Sequence, residues 1–579
     1  LNPRGARTAL SYDSHGHLTR VENALGHTTH YAFDTLGQLI GHADPAGQRT
    51  HYQYDPKGRL TAVQLPSGAR IQCAYDAEDN LTAYQDENGA VTRLEYFGQG
   101  ELARRIQPDG HRVDYLYDTE ERLVGVRNQR GELYQLKRDA LGRVVEEIDY
   151  WGQRNRYAYG PSGHLKATLD PLGQRIDYLT DPLGRIVRKV LPQPGQAEGS
   201  PAWVETFDYD AAGNLVATGN AHVQVERVFD AVGQLLQETQ QHATGDCFAI
   251  DNAYDAAGNR VQRQTRFAGS GPQPASAAHR VDFAYDLLDQ CIETRLDGAA
   301  PIRHHRDALG RLSQEAITPT LVRDFRYNAD GLLTRQHTHT GEHTLFATDY
   351  HYDPAGNLTR REDSSFGVDT YLYDPIGRIL AHTDPQGRIQ RFLNDPAGDR
   401  LITRVAASQA GNAADWQRSG EHEGTRYRFN RAGNLTHRQD TDGLLELDWD
   451  ANQRLIASHR SGTDGQRLTT RYAYDPLGRR LWKETAGVRT TFGWDGDALA
   501  LDAIRGTARE FVCRPNTFEP LALLRGANAP ALHYLNDPNG CPIRLIDTQG
   551  DVVWSVGYTA WGGIAQLHEN RVDNPIRLQ

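Results

Sequence analysis

Methionine is absent from all 579 residues, and lysine nearly so: only Lys57, Lys137, Lys166, Lys189 and Lys483 stand against 58 arginines. Regular strands have little use for a flexible gap-filler, which makes scarce methionine intelligible but does not explain zero. A GC-rich genome favours arginine over lysine, and so does a crowded sheet surface, where the rigid guanidinium fork can satisfy carboxylates and carbonyls together. No apolar run approaches the length of a membrane-spanning helix, which excludes one, and the first residues carry no signal-peptide pattern. Cys73, Cys247, Cys291, Cys513 and Cys541 are odd in number, far apart and without metal or redox spacing, so they read as free thiols. Acidic and basic residues are interspersed at a net charge of −12, with no basic stripe to neutralise phosphates, so nucleic acid is not an expected partner. There is no Gly-x-Ser-x-Gly elbow and no glycine-rich phosphate loop opening a helix. The chain therefore reads as non-enzymatic, with no catalytic, metal-binding or cofactor-binding residue assigned and no cofactor expected.

What the sequence has in abundance is a repeat. The pattern aromatic-Asp-x-x-Gly-x-Leu begins at Tyr12, Phe33 and Tyr54, and its register continues through Tyr75, Tyr96, Tyr117, Arg138, Tyr159 and Thr180. The step from Tyr12 to Phe33 recurs unchanged each time, without one insertion. A second glycine follows each aromatic at an equally constant distance, from Gly26, Gly47 and Gly68 to Gly152 and Gly173. Later copies at Tyr209, Phe229, Tyr254, Tyr285, Arg306, Tyr327, Tyr352, Tyr373, Asn394, Phe429, Trp449, Tyr474 and Trp494 are more loosely spaced. The irregular steps coincide with Gly/Pro/Ala/Ser-rich stretches at 192–201, 268–278 and 406–420, which read as loops.

Self-similarity at a fixed period marks a stacked architecture. Two glycines per unit mark two turns, and the Asp-Pro-x-Gly copies suit tight turns: Asp accepts from turn amides, Pro presets φ and Gly closes. The stretches between turns alternate, as in Arg49-Thr50-His51-Tyr52-Gln53-Tyr54 and Arg59-Leu60-Thr61-Ala62-Val63, which predicts strands. One repeat is then one hairpin. Roughly 27 hairpins give about 50 strands and, at about 4.8 Å each, a sheet on the order of 240 Å long. Twisted open sheets rarely pass about ten strands without curling, so the ribbon must coil. With a hydrophobic content of 38%, it is expected to enclose a polar space lined by Tyr, Arg, Asp and Gln rather than a dry core.

Two clusters invite sharper readings. His337 and His339, two apart on a strand, point the same way and would offer two imidazoles to zinc, with His343 or Glu342 from across the turn. Incidental histidines on a solvent-facing or lumen-facing strand are the simpler reading. Tyrosines beside each turn, as at Tyr52 and Tyr54, would suit sugar stacking, but cross-strand aromatic packing accounts for their placement without a ligand.

The motif Tyr54-Asp55-Pro56-Lys57-Gly58-Arg59-Leu60, with its copy at Tyr474–Arg479, resembles the YD repeat of bacterial Rhs proteins over Tyr12 to about Trp494. His533–Gly540, Pro542–Leu545, Asp551–Ser555, Tyr558–Gly562 and Asn574–Gln579 resemble the segment that precedes the Rhs core terminus. The resemblance implies an all-β fold, a long spiralling antiparallel sheet coiled into a hollow cocoon, with residues 1–500 as the YD-repeat shell and 501–579 as the part of the core leading toward an autoprotease segment. It further implies encapsulation of a C-terminal toxin for delivery to competing cells by a type VI secretion spike, with release after autoproteolysis outside these residues. Implied partners are the toxin fragment, an N-terminal PAAR-containing region, the VgrG spike, a chaperone and an immunity protein; the implied route is synthesis in the cytoplasm, secretion and entry into target cells. Asp374 and Asp395 superficially resemble the paired autoprotease motif, but any two successive repeats place such turns one period apart, as at Asp34 and Asp55, so they read as turns. A surface-exposed carbohydrate-binding adhesin and the cocoon subunit of a Tc-type insecticidal toxin share the repeat and are the alternative readings.

Overall fold

The computed structural model describes residues 1–193, 202–270, 275–399, 402–406, 417–526 and 529–577. Among them are 51 strands and no helix, hence no helix long and apolar enough to cross a membrane. The expected all-β ribbon is present, as a sheet of 35 strands from Ala9–Tyr12 to Ile389–Arg391 and one of 16 from Ile402–Ala406 to Ile564–Asn570. Within each sheet, strands pair antiparallel with their sequence neighbours, as Arg49–Tyr54 does with Leu60–Gln64. The stretches 194–201, 271–274 and 407–416 of the expected loops lie outside the described residues, and strand Gln417–His422 begins inside the third.

Each repeat turn is built by its own signature residues. Asp55 N–H donates to the Arg59 carbonyl at 3.0 Å, and Gly58 N–H to the Asp55 carbonyl at 2.9 Å. Gly58 has φ +86°, the left-handed region in which a side chain is strained. The Asp55 carboxylate accepts from the Lys57 and Arg59 amides at 2.9 and 3.0 Å and from Arg59 Nε at 2.7 Å, which holds its pKa below the usual carboxylate value. Arg59 also donates to the Asp76 carbonyl at 2.6 Å, and its guanidinium lies 5.0 Å from the Tyr75 ring centroid. One arginine thus joins its own turn to the next. Arg143 over Tyr159 and Arg311 over Tyr327, at 4.6 and 4.4 Å, repeat the contact, and the planar guanidinium adds a donor fork that lysine lacks.

The aromatic of the motif has a separate task. The Leu39, Leu60 and Leu81 carbonyls sit at strand ends, and the hydroxyls of Tyr54, Tyr75 and Tyr96 donate to them, each at 2.9 Å. Where arginine or tryptophan replaces the tyrosine, a donor of similar reach remains: Arg138 Nη2 to the Leu123 carbonyl at 3.0 Å, Trp449 Nε1 to Leu435 at 2.8 Å, and Trp494 Nε1 to Arg480 at 2.9 Å. Phe33, Phe229 and Phe429 keep the ring at this position without a donor, so the hydrogen bond is common here and not universal.

The ribbon coils back on itself rim to rim. Turns closed by the second glycine meet repeat turns far along the chain: Ser67 N–H donates to Asp330 at 3.0 Å, Asn88 to Asp353 at 3.0 Å, and Arg130 to Asp395 at 2.6 Å. Between Ser67 and Asp330 lie 23 strands. At about 4.8 Å per strand this turn of the coil has a contour of about 110 Å, a circle about 35 Å across. Farther on, buried Asp363 and Arg544 meet at 2.5 Å only 17 strands apart, which corresponds to a circle of about 26 Å. The coil narrows toward its C-terminal end.

Candidate functional site: the inner wall

Strand alternation gives the ribbon two faces, and the register decides which is inside. Tyr52 is opposite Val63, Val63 opposite Ile71, and Cys73, on the same face as Ile71, opposite Tyr84. The same face continues through Tyr115, Val126 and Tyr134, then Tyr157, Thr168 and Ile176. Farther along it carries Phe207, Thr218 and Val225, then Gln240 and Phe248. From about residue 205 this face is buried by the C-terminal strands. Phe248, Ile250 and Phe267 pack with Ala500, Leu501, Ala503 and Ala508. Val281, Phe283, Leu296 and Ile302 pack with Val512, Leu521, Ala522 and Leu524. The strands at Pro520–Leu524, Leu532–Asn536 and Pro542–Ile546 are buried at every residue. The face on which they lie is the inside of the coil.

Polar groups lock this plug to the wall. Gln240 donates to the Trp494 carbonyl at 2.7 Å and accepts from its N–H at 3.2 Å, pairing like a strand edge. Buried Glu315 accepts from Arg514 at 2.6 Å with His304 Nδ1 3.3 Å away; Arg514 and His304 hold its pKa well below the carboxylate range despite burial. Arg323 donates to the Asn536 carbonyl at 2.8 Å and to Gln336 at 2.6 Å.

Before residue 205 most of the inner face has no such cover and lines the open interior. It carries Tyr, Val, Ile, Thr and Cys at half-buried positions, with Arg105 opposite Val113, Lys189 opposite Tyr178, and Glu147 accepting from the Tyr134 and Tyr157 hydroxyls at 2.8 and 3.1 Å. Burial, with Glu147 beside them, raises the pKa of both tyrosines, that of Tyr157 to about 12. Of the expected lining, tyrosine predominates on this stretch, with arginine at Arg105. The charged ladders stand on the opposite, outer face: Arg104 with Asp114 at 2.6 Å, Lys137, Arg154 and Arg156 with Glu146 at 2.7–2.9 Å, and Arg175 with Asp177 at 2.7 Å. Outward side chains can pair across strands while keeping their water, which an enclosed face would strip from them.

The sequence candidates fall into place on this frame. Asp374 and Asp395 are turn carboxylates: Asp374 accepts from Arg378 at 2.6 Å, and Asp395 from Arg130 across the seam. Tyr54 spends its hydroxyl on the Leu39 carbonyl, and the Tyr52 hydroxyl lies 3.2 Å from His42 Nδ1. The five cysteines are free thiols; burial pushes Cys513 and Cys541 up to about 11, which keeps them protonated. His337 and His339 do share a face, with stacked rings 5.0 Å apart. Their acidic neighbour is Asp324 on the preceding strand, whereas the expected third ligands do not join the cluster. His343 is instead opposite Thr340 in the ladder. Sequence reasoning missed Asp324 because the ladder partner of His337 is fixed by a register that the repeat spacing does not state.

The RHS Repeat family model matches residues 12–47, 33–70, 327–368 and 352–389 of this ribbon. Toxin protein Tse5 of Pseudomonas aeruginosa is 30% identical over 448 residues, 66% of this chain and 34% of that protein. The probable deoxyribonuclease RhsA of Dickeya dadantii is 27% identical over 307 residues, 49% of this chain and 20% of the relative. This chain thus spans about a third or less of the length of these relatives. Among solved structures, TcdB2-TccC3 without its hypervariable C-terminal region superposes with a TM-score of 0.71 at 14% identity, over 99% of this chain and 35% of that one. A Tc holotoxin pore of Photorhabdus luminescens gives 0.68 at 14% identity, over 99% and 34%. At that identity the likeness is one of fold.

Proposed function

Because this chain is an Rhs/YD-repeat protein of a polymorphic-toxin family, we propose that it forms wall and end-plug of a shell that confines a toxic C-terminal polypeptide until delivery. The observation that carries the reading is the single inner face, filled by the chain's own C-terminal strands at the narrow end and open elsewhere. Residues 1–500 act as the repeat wall and residues 501–579 as the core segment leading toward the cargo. A surface of tyrosine hydroxyls, threonines and small aliphatics offers a non-native polypeptide hydrogen bonds without a large apolar patch that would hold it fast. The outer arginine–carboxylate ladders keep the loaded shell soluble.

In this reading a type VI secretion spike delivers the shell, through a PAAR-containing region and VgrG. A chaperone and an immunity protein guard the producing cell, which makes the protein in its cytoplasm and secretes it into rivals. Release follows autoproteolysis at an aspartyl centre that Asp374 and Asp395 do not supply, since both are held by arginines in turns. The adhesin reading is less favoured because the repeat tyrosines are committed to strand-end carbonyls and arginine faces. The test is a density map of the gene product that contains this chain. Cargo density against the face bearing Tyr52 and Tyr115 supports the proposal; cargo wholly outside the coil, or no enclosed space, refutes it.

A further inference from the structure

On the outer wall, three groups that can ligate a metal converge away from any turn motif: Asp324 on strand Leu321–Tyr327, and His337 and His339 on strand Leu333–Thr340. Asp324 is the ladder partner of His337, and His339 lies two residues on along the same face. Asp324 Oδ2 is 3.1 Å from His339 Nε2 and 3.9 Å from His337 Nδ1, and all three donor atoms fall within 4.8 Å of one another. Zinc bonds of about 2.0–2.1 Å at tetrahedral angles place ligand atoms about 3.3 Å apart, so small side-chain rotations bring the three into range.

The remaining polar atom of each group is already engaged. Asp324 Oδ1 accepts from Gln314 at 2.9 Å. His339 Nδ1 lies 2.7 Å from the Gly341 carbonyl, and His337 Nε2 lies 2.9 Å from the Thr344 hydroxyl. A carbonyl can only accept, so His339 carries its proton on Nδ1 and its Nε2 lone pair faces the Asp324 carboxylate oxygen. Two acceptors at 3.1 Å require a cation between them, either a proton or a metal ion. The neighbouring Arg335 is engaged by Asp349 at 3.1 Å.

We propose that Asp324, His337 and His339 bind a divalent transition metal, zinc by ligand chemistry, with a water in the fourth position. Backbone and side chains from four successive strands orient the ligands, the second-shell arrangement that raises the basicity of metal-bound histidines. The ion would pin two neighbouring hairpins on the outside of the wall, independently of any cargo. A second cluster, Asp13, His15 and His17, does not carry the same inference. Both amides His15 N–H and His17 N–H donate to Asp13 Oδ1, and His17 Nδ1 lies 2.9 Å from Asp13 Oδ2 with its ring stacked on Phe33. His17 there performs the turn task that Arg59 performs in its own repeat.

The test is calorimetric titration of the metal-free chain with Zn2+, paired with the visible spectrum of Co2+. One ion per chain and an intense tetrahedral cobalt band are expected. His337→Gln and His339→Gln should each abolish the band, Thr344→Val should weaken binding about 10–100-fold, and His17→Gln should leave it unchanged. Circular dichroism of each variant separates loss of a ligand from loss of the fold. No stoichiometric zinc binding, or binding lost with His17→Gln and retained with His337→Gln, overturns the proposal and leaves Asp324 and His339 as a protonated ion pair.

Discussion

Arg544 donates to Asp363 at 2.5 Å with both side chains buried, although 16 strands of ribbon separate them. The Arg544 guanidinium also lies 4.6 and 4.2 Å from the ring centroids of Phe346 and Phe366, so one side chain fastens the narrow end of the coil to the wall.

Removing one partner of that pair strands a buried charge. Arg544→Met is expected to cost about 3–5 kcal/mol, read as a fall in the urea midpoint. Arg175→Met, which breaks the exposed outer pair with Asp177, is expected to leave the urea midpoint nearly unchanged. Equal effects would mean that the plug is not held by this contact.

The repeat tyrosine serves through its hydroxyl. Tyr75→Phe deletes the donor to the Leu60 carbonyl and is expected to destabilise by about 0.5–1.5 kcal/mol in denaturant titration. Tyr75→Trp should be milder, because Trp449 and Trp494 meet the same need with indole N–H groups. A neutral Tyr75→Phe would return the position to simple aromatic packing.

Four repeat turns hold a larger residue where the others have glycine: Asp79, Glu121, Asp289 and Gln453, with φ between +57° and +72°. Glu121→Gly should relieve that backbone and raise stability by up to about 1 kcal/mol. Gly58→Ala, at φ +86°, should lower it by a similar amount. The comparison is made by thermal unfolding of both variants.

Acid should loosen the wall through two buried histidines. Burial lowers His242 and His533 from 6.5 to about 4, and neither ring nitrogen of His242 has a hydrogen-bond partner. Above pH 6.5 both folded and unfolded chains leave these rings neutral, and the stability is fully present. Between pH 6.5 and 4 the unfolded chain takes up protons that the folded chain refuses, which removes on the order of 3 kcal/mol per histidine. His242→Leu should flatten the fall in unfolding midpoint measured from pH 7 to pH 4.5; an unchanged slope would locate the sensitivity elsewhere.

Turns and strands were legible in the sequence because each hairpin builds itself locally: Asp55, Arg59 and Gly58 make one turn without help from another coil. The aromatic ends of the strands, from Tyr12 to Trp494, coincide with strand ends for the same reason. The circumference was not legible. The seam is made by ordinary turn residues found in many repeats, so nothing in Ser67 or Asn88 names Asp330 or Asp353 as its partner. The inward plug was not legible, because the burial of strands Pro520–Leu524 and Pro542–Ile546 depends on coil closure. Which face looks inward was equally hidden, and with it the separation of inner tyrosines from outer charges.

In the proposed shell the face bearing Tyr115 holds the cargo. A photo-crosslinking amino acid placed at Tyr115, on the inner face, and at its neighbour Leu116, 37% exposed on the outer face, tests this in the gene product that contains this chain. Mass spectrometry after irradiation should show position 115 joined to the C-terminal toxic segment and position 116 not joined to it. Crosslinks to that segment from 116 alone, or from neither position, would show that the cargo does not lie on this face.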